Sequence, residues 1–225
     1  MSGLVRNTVL WIGACAIALS AWLAAPSAAS ASTASDTTQF SVSGGSLSFI
    51  TAPDVPGFPA VTLNGQSQTD SAQMNTFSID DATGTSSGWN VTANGDASSG
   101  HSATFAQYCP NASCASDSGP GYVSGGATLP ASSLSLSSTG AGFSGLSGSS
   151  GSSPLLQCAS GCVLDVSSSS PTKIASAASG AGMGSWQATG FGASSLGVAI
   201  PTTIQLLQTG EVYRLDLLWT LGSGP

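Results

Sequence analysis

The sequence predicts an all-β fold, a β-sandwich of about ten short antiparallel strands joined by long Gly/Ser-rich loops. Three observations carry that reading. Apolar and polar residues alternate in short runs, clusters of Gly, Ser, Asn and Pro separate the runs, and the mature chain shows no convincing helical stretch. The 225 residues include 29 glycines and 44 serines, which favour turns, yet 41% are hydrophobic, enough to fill a core.

The chain opens with the pattern of an export signal. Met1 to Arg6 carries one positive charge, and Thr8 to Ala25 is an apolar run interrupted only by Gly13 and Ser20. Pro26 ends the run, and Ala29-Ser30-Ala31 supplies the small residues of a cleavage site. Residues 1–31 are therefore expected to be a signal peptide cleaved after Ala31. An uncleaved anchor competes, because the run is about 18 residues, near the minimum for a bilayer. Residues 32–38 form a polar leader, and residues 39–225 one domain, expected to be exported with no membrane contact after cleavage.

The expected strands follow in chain order. They are Phe40–Val42, Leu47–Ile50, Val61–Leu63, Phe77–Ile79, Trp89–Ala93, Leu134–Leu136, Val163–Val166, Trp186–Ala188, Val198–Ile200, Ile204–Leu207 and Glu211–Leu221. The last has the clearest alternation: Tyr213, Leu215, Leu217, Trp219 and Leu221 share one face, and Arg214, Asp216 and Thr220 the other. Gln208-Thr209-Gly210 reads as a hairpin turn pairing 204–207 with 211–221. Residues 140–154 are low in complexity and read as a mobile loop, whereas Cys109 to Tyr122 reads as a stapled one.

With Cys15 removed, Cys109, Cys114, Cys158 and Cys162 remain, an even number in an oxidising compartment. Their tight spacings favour the disulfides Cys109–Cys114 and Cys158–Cys162. A four-thiolate zinc site lacks the usual two-residue separation, so no metal and no cofactor are expected.

Charge excludes one class of partner. Three Lys+Arg against ten Asp+Glu, a formal net charge of -7, provide no basic patch for nucleic acid.

Two tryptophan segments have a distinctive setting. Ile79-Asp80-Asp81-Ala82-Thr83-Gly84 leads into Gly88-Trp89-Asn90-Val91, and Trp219-Thr220-Leu221 lies a few residues before Pro225. With Phe40-Ser41-Val42-Ser43-Gly44-Gly45 and Leu129-Pro130-Ala131-Ser132, this arrangement resembles the WxL domain family over about residues 38–225. The family's aspartate loop commonly carries an arginine before its glycine, where this chain has Ala82-Thr83. The cysteines and Gly/Ser-rich inserts also differ, so the resemblance is to a divergent, actinobacterial-type member. It implies a secreted, non-catalytic protein of the cell surface, bound noncovalently to the peptidoglycan of a Gram-positive cell wall, with other surface proteins as further partners.

Loss of Arg6 takes the formal charge to -8, which opposes anionic wall polymers. Attachment is therefore expected to rest on neutral glycan or peptide, or on bridging cations. The alternative function is a self-assembling surface subunit or an adhesin that binds partner proteins.

The candidate binding residues are Trp89, Trp186, Trp219 and Leu221. For Trp89 and Trp219, on period-2 strands, core packing is the plainer reading; Trp186, Tyr108 and Tyr122 are better placed by sequence to stack on sugar rings. His101, the single histidine, sits in a turn-like segment with no Gly-x-Ser-x-Gly elbow to mark a nucleophile, so no enzyme is expected. Asp80 and Asp81 are neighbours that a strand would point to opposite faces, unlike a glycosidase pair; in a loop they would join Asp54 or Asp70 around calcium, or form a solvated turn.

Overall fold

The computed structural model describes residues 35–111, 114 and 119–225. The expected signal peptide, residues 1–31, and residues 32–34 of the leader lie outside the described residues. Met1–Ser41 and Val42–Pro225 are separate units; in the first, residues 35–41 are irregular and exposed.

Among the described residues the chain is all-β, without a helix. Fifteen strands stand where about ten were expected. In chain order they are β1 (Leu47–Thr51), β2 (Gln68–Ala72), β3 (Phe77–Asp81), β4 (Trp89–Gly95), β5 (Ala106–Cys109), β6 (Gly121–Tyr122), β7 (Leu134–Leu136), β8 (Gly142–Gly145), β9 (Leu155–Leu156), β10 (Cys162–Val163), β11 (Thr172–Ala177), β12 (Gly184–Thr189), β13 (Leu196–Ile200), β14 (Val212–Arg214) and β15 (Leu217–Ser223). They form four antiparallel sheets, ordered β1-β3-β12-β8, β10-β7-β13-β2, β15-β4-β11-β9 and β14-β5-β6.

Inward residues of the three four-stranded sheets share one buried cluster, which includes Phe77, Ile79, Trp89, Val91, Leu134, Leu136, Ile174, Ala188 and Leu196. Ring contacts organise its aromatic part. Phe143 meets Trp89 edge-on at 5.7 Å and Phe77 at 5.9 Å, within the range of favourable aromatic pairs. Asp165, almost fully buried, is satisfied by the backbone N–H groups of Ser133 (2.9 Å) and Leu134 (3.0 Å), which fixes the start of β7. Both expected disulfides are present, Cys109–Cys114 and Cys158–Cys162.

The first tryptophan motif is built around two close backbone approaches. Gly88 has φ +75°, and a Cβ there would lie 2.3 Å from the Ala177 carbonyl oxygen, so both conformation and space require glycine. Gly182 lies against the indole, where a Cβ would meet Trp89 Nε1 at 2.8 Å. That approach lets the indole N–H donate to the Gly182 carbonyl at 3.0 Å, satisfying a polar group on a fully buried side chain.

The two motifs lie side by side. β15 pairs antiparallel with β4 along its whole length, with Leu221 opposite Val91 and Trp219 opposite Ala93. Directly opposed residues share a sheet face, so both tryptophans project from the same side of one sheet. Asn90 Nδ2 donates to the Gly224 carbonyl at 2.7 Å, and the Gly224 N–H donates to the Gly88 carbonyl at 2.9 Å.

Several expectations are corrected. Glu211–Leu221 is not one strand: it breaks at Leu215-Asp216 into β14, paired with β5, and β15, paired with β4. The Asp216 N–H donates to the Ser102 carbonyl, and its own carbonyl accepts from the Asp96 N–H, so its backbone is bonded to the 96–102 loop. Ile204–Leu207 forms no hairpin, and Phe40–Val42 and Val61–Leu63 form no strands. Residues 140–154 are not a free loop. They contain β8, paired with β12, and bridges from Ser150 to Met183 and from Ser152 to Ala181.

Replacing Trp89 with Ala removes a fully buried side chain and leaves the Gly182 carbonyl unpaired. We expect a loss of about 3–5 kcal/mol in denaturant unfolding of the mature domain, and a loss below about 1 kcal/mol, of surface size, would contradict this packing.

Candidate functional site

An open groove of about 1070 Å³ lies at one edge of the core. Its floor is the edge of the core: Leu129, Leu134, Val198 and Ile200 are all nearly buried. One wall is the segment from Pro53 to Val61, where Pro53, Pro56 and Pro59 prevent regular strand pairing and Phe58 is left half-buried. A second wall is Ile204–Leu207, with Leu206 87% exposed. β14 and β15 supply Tyr213 and Trp219, and β5 supplies Tyr108.

A charged cluster lies at the groove. Asp216 Oδ1 accepts from Arg214 Nη2 at 2.8 Å and Nε at 3.1 Å, while Oδ2 accepts from the Tyr122 hydroxyl at 2.5 Å and the Ser102 N–H at 3.2 Å. His101 Nδ1 lies 3.4 Å from Asp216 Oδ2 and 3.6 Å from Asp96 Oδ2. The Arg214 guanidinium stands 4.5 Å above the centre of the Tyr108 ring, and Tyr108 meets Tyr122 edge-on at 5.0 Å. Together these contacts clamp β5, β6, β14 and the 96–102 loop to one carboxylate.

Burial alone would raise the Asp216 carboxyl, but donation from Tyr122, Arg214 and Ser102 outweighs it, and the carboxyl stays below its usual range. Burial, followed by donation to Asp216, pushes the Tyr122 phenol above its usual value. Donation to Asp216 likewise raises the Arg214 guanidinium. Asp96 is lowered by donation from the Ser98 side chain and N–H.

The predicted residues divide sharply. Trp89 is fully buried and presents no face to a ligand. Trp186, expected in an open Gly/Ser/Ala setting, lies on β12, 7% exposed, with its indole N–H donating to the Met183 carbonyl at 2.9 Å; burial removes it as a stacking platform. Trp219 is half-buried and lines the groove, and Leu221 is half-buried and packed against the core. Tyr108 is in the groove wall, with Tyr122 behind it in the clamp. Asp80 and Asp81 end β3 instead of forming a loop: Asp80 accepts from the Ser185 hydroxyl, and buried Asp81 accepts from Thr83 N–H and Oγ1.

Among the described residues no group of three or more His, Cys, Asp or Glu side chains is placed to hold a metal ion. Ser102 next to His101 directs its hydroxyl to the Thr104 carbonyl at 2.7 Å. The arrangement can bind and position, with an apolar floor, aromatic faces and carboxylate acceptors at the rim.

The Pro53–Val61 wall and the Arg214–Asp216 clamp were not anticipated. Three prolines within seven residues beside an isolated Phe58 are the signal in the sequence, because such a segment cannot complete a ladder. Compared with family models, curated proteins and solved structures, the chain matches none.

The clamp gives a pH dependence of defined sign. Because the Asp216 carboxyl titrates lower when folded, its contribution is present above the unfolded value of about 3.9 and is lost as pH falls through the folded value. Tyr122 titrates higher when folded, so its contribution is present below about 10 and is lost as pH rises through the folded value. Asp216→Asn should lower stability at neutral pH and flatten the acid limb of a stability–pH profile from thermal melts, and Tyr122→Phe should flatten the alkaline limb. Unchanged limbs would contradict the clamp.

Proposed function

We propose that the chain is a secreted, non-catalytic cell-surface protein that attaches noncovalently to the bacterial cell wall through a WxL-like domain. The observation that carries this reading is the division of labour between the two motif tryptophans. Trp89 is spent on the core, while Trp219, on the same sheet face, is half-buried in the wall of an open groove. Aromatic faces beside carboxylate and amide acceptors suit a sugar chain, whose rings present C–H faces for stacking and hydroxyls for donation. Tyr213, Tyr108 and Gln205 line the groove with Trp219. The two disulfides fit an oxidising, extracellular setting.

A second reading, a surface subunit or adhesin that binds partner proteins, draws support from the exposed apolar side chains Val61, Leu63, Leu206 and Val212 around the same groove.

Co-sedimentation of residues 32–225 with washed Gram-positive sacculi separates the two. Saturable pelleting that weakens at least about tenfold in Trp219→Ala, the scale of a lost aromatic contact, and survives in Leu218→Ala supports wall attachment. No pelleting, or equal pelleting by both variants, moves the weight to partner binding.

A further inference from the structure

The groove concentrates negative charge in a chain that has little of any kind. Of the ten Asp and Glu residues in the sequence, Asp54, Asp70, Asp96, Glu211 and Asp216 line it. Of the two Lys and Arg residues among the described ones, Lys173 and Arg214, Arg214 alone does, and Asp216 already holds it.

Among the described residues no Lys or Arg pairs with the remaining carboxylates. Asp54 accepts from Asn75 Nδ2 at 2.8 Å, Asp70 from the Ser71 N–H at 2.9 Å, and Asp96 from the Ser98 N–H at 2.9 Å; His101, which lies between Asp216 and Asp96, is 3.6 Å from the latter. A second observation comes from beneath the rim. Glu211 is 9% exposed, and its Oε2 accepts from Gln107 and the Gln208 N–H, whereas Oε1 has no partner among the described residues.

A neutral ligand would use these carboxylates only as hydrogen-bond acceptors, an anionic one would be repelled by them, and a cationic one would gain attraction as well as hydrogen bonds. We infer that the groove selects a cationic glycan, an amino sugar chain whose nitrogen is free instead of acetylated. Ring faces stack on Trp219 and Tyr213, and the ammonium groups meet the carboxylates of Asp54 and Asp70. The inference rests on the wall-attachment reading and deepens it by naming the chemistry of the ligand. It also revises the expectation of a neutral glycan, because half of the acidic residues line this one groove.

The test compares two oligosaccharides of matched length, one fully acetylated (chitin type) and one unacetylated (chitosan type). Binding to residues 32–225 is measured calorimetrically in EDTA at about pH 5.5, above the ordinary carboxylate range and below the amine pKa. Exposed ion pairs each contribute a factor of a few, so the unacetylated oligomer should bind about tenfold more tightly at low salt and lose that advantage as salt rises. The double variant Asp54→Asn, Asp70→Asn should bind both oligomers alike, with an unchanged melting profile showing that it folds. Equal affinity in the parent protein, or a preference that survives in the double variant, overturns the inference. Sacculus pelleting by the same preparation would then leave wall attachment standing. Failure to bind either oligomer or sacculi overturns both.

Discussion

The burial of the Trp89 indole is the constraint on which the rest of the structure depends. A side chain of this size can be enclosed only if the surrounding backbone comes close, and its N–H must find an acceptor once water is excluded. Gly182 meets both demands, because it has no Cβ to strike the ring and its carbonyl takes the proton. Gly88 allows the chain to enter β4 against the Ala177 carbonyl, and Phe143 closes the ring from another side. Three segments distant in sequence are thereby fixed around one residue, a strong organising contact in a domain with so few charged groups.

The groove follows from the same sheet. Because β15 is zipped to β4 from Leu217 to Ser223, Trp219 is held at a set distance from Trp89 on a common face. The chain reaches β15 only after leaving β14, and the transition is stabilised at Asp216, whose side chain gathers Arg214, Tyr122 and the Ser102 N–H. Without that break, the residues after Gly210 would continue as one strand, and β14 and β15 would not join different sheets. The proline-rich wall opposite contributes surface without contributing a ladder. Rigid sheet on one side and irregular segments on the other is a common way to present a binding surface on a β scaffold.

What the sequence revealed depended on side-chain size. β1, β3, β4, β7, β12 and β13 were legible because Phe, Ile, Trp, Leu and Val mark alternate positions. β2, β8 and β11 were not: the core-facing side of β2 carries polar Gln68 and Asp70 beside Ala72, β8 has the single large residue Phe143 among Gly and Ser, and in β11 only Ile174 is large, although Ala175 and Ala177 are equally buried. The 140–154 segment looked unstructured for the same reason. Small residues are what its close packing against β12 requires: a Cβ at Gly184 would lie 2.1 Å from the Gly148 carbonyl oxygen. Short cysteine spacing did identify both disulfides. Trp186 was misplaced because its small neighbours suggested exposure, whereas they permit burial. The charge distribution of the groove was illegible, since Asp54, Asp70 and Asp216 are brought together only by the fold.

The most direct test of the central claim is hydrogen exchange at the tryptophan indole N–H groups, followed by nuclear magnetic resonance on the mature domain labelled at tryptophan. Trp89 should exchange only through large-scale unfolding, with a protection that falls together with global stability in denaturant, while Trp219 should exchange far faster. A Trp89 indole proton that exchanges as quickly as that of Trp219 would contradict the account, because the residue around which the fold is arranged would then be open to water.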